Sequence, residues 1–149
     1  MEIIQIDNNN FRPFKQDIMR YIRMLTICEK DRRDNVDYYV DEKIKSIPLY
    51  IEDRSALIFV GIEDDKVVLF LWAYKVSENT MHLTQLIVDE RYQRRGYAKE
   101  ALCILIEKMR EENMQYLNLN AAYNNLAALN LYKSLGFNIE KVFMERKIV

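Results

Sequence analysis

Gln93-Arg94-Arg95-Gly96-Tyr97-Ala98 lies between a strand-like run, Leu83 to Val88, and a helix-like run, Ala98 to Met109. A glycine in that position takes backbone angles and close approaches that a Cβ forbids, and Ala98 keeps the opening turn slim. Successive N–H groups at the start of a helix can then point at one phosphate-sized ligand, helped by the helix dipole. Arg91, Arg94 and Arg95 add positive charge to the same turn. The stretch reads as an anion cradle on a helix N-terminus.

A glycine in a strand-to-helix turn is common, and a basic turn is usually solvated surface, so the hexapeptide carries little by itself. A second element gives it weight. Downstream stands Asn125-x-x-Ala128-x-x-x-Tyr132-x-x-x-Gly136-Phe137, about one βα unit further on and in the right order.

As a pair the two elements resemble signatures of the GCN5-related N-acetyltransferase (GNAT) superfamily. Gln93 to Ala98 is similar to its acetyl-CoA pyrophosphate loop, and Asn125, Ala128 and Tyr132 to its Asn-x-x-Ala-x-x-x-Tyr helix, closed by Gly136-Phe137. The resemblance runs from about Val67 to Phe137 and is thin before Ile51.

The chain has 149 residues, 50% of them hydrophobic, which is the size of one ordinary domain able to bury its own core; a single domain over 1–149 is expected. A net charge of −1 gives no bulk electrostatic reason to expect nucleic acid or a membrane as partner. No stretch approaches the ~18 apolar residues that span a bilayer. Cys28 and Cys103 fall in helical apolar patterns behind an N-terminus without a hydrophobic signal segment, so buried, reduced thiols in a cytoplasmic protein are expected. Two cysteines and one histidine do not make a usual zinc site, and no metal is expected.

Periodicity supplies the elements. Glu2 to Ile6 alternates as a strand; Asn10 is placed to cap a helix carrying Phe11, Phe14, Ile18, Ile22 and Leu25, with Pro13 in its first turn. Glu29 to Asp41 reads as a charged surface loop, and a second helix from about Val40 to Ile47 is expected to stop at Pro48. Ala56 to Ile62 and Val67 to Val76 flank the turn Glu63-Asp64-Asp65-Lys66 as an antiparallel hairpin. Met81 to Val88 and Tyr116 to Ala122 are strands; Asn125 to Leu135 is a helix with Gly136 in the left-handed position beyond it; Asn138 to Val149 has room for one or two strands.

Strand, helix, strand, helix from Met81 to Leu135 implies a parallel βαβ unit within a mostly antiparallel sheet. The expected fold is therefore α/β of the α+β type: a mixed sheet, mostly antiparallel with one parallel strand pair, flanked by about four helices. The resemblance implies the same plan, with that pair splayed at its end. Leu69 to Tyr74 could bury inside one chain or in a dimer, leaving monomer and homodimer open.

The resemblance also implies site residues. Backbone groups of Leu86 and Val88 would pair with the pantetheine arm as an added strand does. The pyrophosphate would lie on the amides of Arg94 to Lys99, Tyr97 and Ala98 included. Arg94 or Arg95 would reach the ribose phosphate. The N–H of Val88, or of its neighbour Ile87, is the candidate contact for the thioester oxygen. Tyr132 takes the general-acid role, since a phenol with pKa near ~10 can protonate a thiolate whose conjugate acid lies near ~8.5.

The general base is the least determined part. The strand after the first βαβ helix, where some relatives carry a carboxylate, reads Leu117-Asn118-Leu119-Asn120. His82, the only histidine, is the side-chain candidate. Alternation puts it on the face of Thr84, Leu86 and Val88, roughly 20 Å along the strand from Val88 unless a bulge intervenes. A water chain, or the deprotonated fraction of the amine, is the other source.

The resemblance implies an acceptor side built from the first two helices, the loop joining them and the last strand connection; in Glu29 to Asp41, Glu29, Asp31, Asp34, Asp37 and Asp41 stand against Lys30, Arg32 and Arg33 and could face a cationic amine. A short final connection leaves an open groove, suited to a peptide N-terminus, a lysine side chain or a polyamine. The expected function is acetyl-CoA-dependent N-acetyl transfer to a primary amine in a ternary complex. A catalytically idle acyl-CoA sensor of the same fold is the alternative, and an RNA or DNA binder using the cradle arginines is a third reading that the balanced charge disfavours.

Overall fold

The computed structural model describes residues 1–29 and 34–149. Its elements are β1 (Glu2–Gln5), α1 (Phe11–Ile27), α2 (Val36–Glu52), β2 (Ala56–Glu63), β3 (Lys66–Lys75), β4 (Thr80–Val88), α3 (Tyr97–Glu111), β5 (Tyr116–Leu119) and α4 (Leu126–Ser134), with a 3-10 turn at Glu90–Tyr92. Two compact units share them, Met1–Leu119 and Asn120–Val149.

The first unit holds one sheet in the order β1-β2-β3-β4-β5, antiparallel throughout except for the parallel β4–β5 pair. The mixed α+β plan read from the sequence is the one observed.

Helices α1 and α2 cover one sheet face. Ile18, Tyr21 and Ile22 of α1 and Val40, Ile44 and Ile47 of α2 meet Ile58, Val60, Phe70 and Trp72 in one buried cluster. Each such side chain contributes about 1.5–3 kcal/mol by leaving water. Alternate strand residues (Leu57, Leu69, Leu71, Ala73) are buried on the other face, where α3 contributes Ala101, Leu102, Leu105 and Met109. Leu69 through Ala73 are thus fully accounted for within one chain, while Tyr74 is 37% exposed.

Several local expectations are corrected. Helix α2 begins at Val36 and runs through Pro48 to Glu52. Burial of Val40, Ile44 and Ile47 against the sheet outweighs the missing N–H of Pro48 and its clash with the preceding turn. The charged stretch after Glu29 is correspondingly shorter; Lys30, Asp31, Arg32 and Arg33 lie outside the described residues. Asn10 occupies the cap position of α1 without capping it: its Oδ1 accepts from Asp7 N at 2.8 Å and its Nδ2 donates to Gln5 O at 2.9 Å, closing the preceding turn instead.

Cys28 and Cys103 are exposed, not buried. Cys103 lies about 100° round α3 from the buried Leu102 at 3.6 residues per turn, and Cys28 stands just past the last turn of α1. In the second unit Asn138 to Val149 forms no strand, because no ladder includes these residues. Strand β5 likewise ends at Leu119, three residues before the expected Ala122.

Candidate active site

Strand β4 is where the site is organised. Its ladder with β3 pairs Leu69↔Val88, Phe70↔Ile87, Leu71↔Leu86 and Trp72↔Gln85, then shifts to Ala73↔Leu83. Thr84 is the extra residue of a β-bulge. A bulge reverses which side chains face which way. His82 therefore shares its face with Gln85 and Ile87, opposite Tyr74, and not with Leu86 and Val88 as simple alternation gives.

The backbone follows the same logic. Asp89 N donates to Val68 O at 2.8 Å, so Asp89 faces β3. Antiparallel alternation then turns Ile87 to β3 and turns the N–H and C=O groups of Leu86 and Val88 the other way. On that side β5 pairs only from Thr80↔Tyr116 to Leu83↔Leu119. No β5 residue stands opposite Leu86 or Val88, which leaves a strand edge of the kind an extended ligand can join. Of the two candidates for the oxyanion contact, Val88 N–H points to the open side and Ile87 N–H does not. The Val88 carbonyl is already engaged, accepting from Gln93 Nε2 at 3.0 Å.

Beyond β4 the cradle takes a conformation that its sequence suggested. Arg94 and Gly96 have φ of 63° and 81°, in the left-handed region. A Cβ built on Gly96 meets nothing within 4 Å, so glycine is required there by backbone angle and not by neighbours in the protein. The first hydrogen bond entering α3 runs from Glu100 N to Gly96 O at 3.0 Å, and Gly96 offers no side-chain cap. The N–H groups of Tyr97, Ala98 and Lys99 precede that ladder and are presented to an anion.

The two cradle arginines differ. Arg95 folds back, its guanidinium 4.8 Å above the Tyr92 ring with Nη2 donating to Arg91 O at 3.3 Å; Arg94 is exposed and projects from its left-handed backbone. The arrangement fits a diphosphate: orphan amides, a left-handed turn and an available guanidinium occur together.

A cleft of about 320 Å³ opens next to the cradle, lined by Asp17, Arg20, Lys66, Asp89, Arg91 and Tyr92 among others. Its charges alternate in sign, and Gln93 to Lys99 take no part in it.

His82 and Asn118 face each other in the parallel register, with Nδ1 to Asn118 Oδ1 at 2.5 Å. An amide oxygen only accepts, so Nδ1 is the donor of the pair and Nε2 is the ring nitrogen left outside it. Tyr74 packs against the ring edge-on at 5.6 Å.

In the second unit Asn125 Oδ1 accepts from Ala128 N at 3.2 Å and caps α4. At the other end Gly136 (φ 91°) closes the helix: Phe137 N donates to Tyr132 O at 3.0 Å and Gly136 N to Lys133 O at 3.1 Å. That is a Schellman cap, and its usual apolar contact is the Tyr132–Phe137 ring pair at 5.7 Å. Burial pushes the Tyr132 phenol above its ordinary pKa, so it keeps its proton at neutral pH.

Sequence reasoning passed over Gln85. It is 4% exposed, directly across from Trp72, and neither Gln85 Oε1 nor Trp72 Nε1 has a hydrogen-bonding partner among the described residues. One polar amide inside the apolar run Leu83 to Val88 was the available signal. Two of the carboxylates expected to face an amine are engaged elsewhere: Asp37 pairs with Arg23 at 2.6 Å and Glu29 with Lys43 at 3.7 Å.

Comparison with known proteins agrees with this geometry. The model of the acetyltransferase (GNAT) family matches residues 21–137, and the chain belongs to that family. It is 39% identical over 111 residues to the [ribosomal protein bS18]-alanine N-acetyltransferase of Escherichia coli K12, covering 68% of this chain and 72% of that one. It is 28% identical over 93 residues to human N-acetyltransferase 8, covering 59% of this chain but only 41% of that protein. Among solved structures, AAC(6')-Iy in complex with the bisubstrate analog CoA-S-monomethyl-acetylneamine superposes with a TM-score of 0.71 at 15% identity, covering 99% of this chain and 98% of that one, a likeness of fold. No helix among the described residues is long and apolar enough to cross a membrane.

Proposed function

We propose that this protein transfers an acetyl group from acetyl-CoA directly to a primary amine in a ternary complex. One observation carries the reading: the unpaired β4 edge at Leu86 and Val88 runs straight into a left-handed, amide-rich turn at Gly96. The first suits a pantetheine arm, the second a diphosphate, and coenzyme A is a molecule that joins the two.

The roles follow from chemistry. Leu86 offers its main-chain groups to the pantetheine amides, and Val88 N–H donates to the thioester oxygen, where a fixed dipole stabilises developing negative charge, while its carbonyl stays with Gln93. Amides from Arg94 to Lys99 hold the pyrophosphate, and Arg94 is the guanidinium available for the ribose phosphate. Gln93 holds the end of β4 against the cradle. Tyr132 supplies a proton to the departing thiolate, with Asn125 and Ala128 setting the start of its helix. His82 stands six residues before Val88 on β4, and the bulge at Thr84 removes only one of them from the path, so it takes the amine's proton only through a chain of waters.

For the acceptor we favour the α-amine of a peptide, in a protein that works in the cytoplasm as a monomer or homodimer. Support comes from the name of the Escherichia coli relative, an alanine N-acetyltransferase of a ribosomal protein. Thioester consumption with a panel of peptides, lysine derivatives and polyamines tests this. Turnover limited to polyamines overturns the acceptor assignment, and coenzyme A binding without turnover on any amine favours the idle sensor.

A further inference from the structure

The two tyrosines that bracket the cradle both reach away from it, to the same place. Tyr97 Oη donates to Glu63 Oε2 at 2.9 Å, and Tyr92 Oη donates to Asp64 Oδ2 at 3.1 Å. Glu63 and Asp64 are consecutive residues at the tip of the β2–β3 hairpin, where Glu63 pairs with Lys66 and both Asp64 and Asp65 take left-handed φ of 51° and 59°. Tyr92 is 9% exposed, and Arg95 stacks upon its ring. The four residues between the anchors, Gln93 to Gly96, include both left-handed positions of the cradle.

We propose that Glu63 and Asp64 are positioning residues for the coenzyme A cradle, holding its two ends through Tyr97 and Tyr92 so that the intervening amides point at the diphosphate. The inference rests on the reading of Gln93 to Lys99 as a coenzyme A site.

Electrostatics distinguishes this role from a charge effect. Two carboxylates near an anion site oppose the anion, so any gain in affinity that they bring must come through geometry. The Met1 ammonium, 2.7 Å from Glu63 Oε2, and the Tyr97 hydroxyl hold the Glu63 carboxyl below the usual range, and the hydrogen bonds to Glu63 and Asp64 raise the Tyr97 and Tyr92 phenols. Acceptor and donors therefore keep their roles across neutral pH.

The test uses isothermal calorimetry with coenzyme A and steady-state kinetics on the full chain carrying Tyr97→Phe, Glu63→Ala, Glu63→Gln and the double change Tyr97→Phe/Glu63→Ala. Tyr97→Phe and Glu63→Ala are each expected to weaken coenzyme A binding about three- to tenfold and to raise KM for acetyl-CoA, with kcat within about twofold; these correspond to roughly 0.7–1.4 kcal/mol. The double variant should lose no more than the worse single one, and Glu63→Gln, which keeps an acceptor oxygen for Tyr97, should bind like the parent. Parent-like affinity in both single variants, or penalties that multiply in the double one, overturns the proposal. Tighter binding by Glu63→Ala also overturns it, since that reports charge alone. An absence of heat with the unaltered protein defeats the coenzyme A reading itself, a result that parent binding with insensitive variants does not resemble.

Discussion

His82 Nδ1 and Asn118 Oδ1 lie 2.5 Å apart across the parallel β4–β5 pair, so an amide oxygen fixes the histidine tautomer. If His82 relays the amine's proton through water, His82→Gln lowers kcat/KM about 10²-fold at neutral pH. Asn118→Leu, which frees the ring without removing it, should cause a smaller loss. Unaltered rates across pH in His82→Gln remove His82 from the mechanism.

The left-handed backbone of Gly96 lies at the N-terminus of α3, where the proposed function places an anion. Gly96→Ala imposes about 1–2 kcal/mol of backbone strain without any clash, because its Cβ meets nothing within 4 Å. Calorimetry should show coenzyme A affinity lowered about tenfold. Gly96→Glu adds a carboxylate where the proposal places the diphosphate and should abolish measurable binding; retained affinity would sink the cradle assignment.

If Tyr132 is the general acid, ionisation of its phenol ends that role. Burial raises its pKa, so the alkaline fall in kcat is expected above the ordinary tyrosine value of ~10, not below it. Tyr132→Phe should reduce kcat about 10²-fold, change KM for acetyl-CoA little and abolish that fall. A variant with parent kcat would assign proton transfer to solvent.

Pro48 sits inside α2, where it cannot donate to Ile44 O and its ring crowds the turn before it. Pro48→Ala restores the donor and relieves the crowding, at the expense of a freer unfolded chain. Chemical denaturation should report a gain of about 1–2 kcal/mol at unchanged m-value. A loss would mean that the Pro48 ring, together with the Asn8 Nδ2 to Pro48 O contact at 3.3 Å, is needed by the core.

Much of the fold was legible because it depends on short-range patterning. The buried stripe of α3, the hairpin around Asp64-Asp65 and the left-handed glycines at 96 and 136 are each written within about ten residues. The local backbone of the candidate site was legible for the same reason, since the turn at Gly96 and the capped helix from Asn125 to Phe137 are each contiguous in sequence. The errors came where local preference met a longer-range demand. Pro48 was read as a stop although the core overrides it, and both cysteines were read as buried although each lies off the packed stripe.

What the amino-acid order determined by itself is therefore the family plan and the cradle's backbone: glycine at a left-handed turn, open amides at a helix start, a capped helix bearing Tyr132. Tertiary structure alone decided which way β4 presents its groups. The register shift at Thr84 depends on how β3 pairs with β4, and it moves His82 to the face of Gln85 while leaving Leu86 and Val88 open where β5 stops pairing. The link from Tyr92 and Tyr97 to Asp64 and Glu63 is likewise a meeting of residues 28 and 34 positions apart, which hydrophobic periodicity cannot encode because it reports only which face is buried.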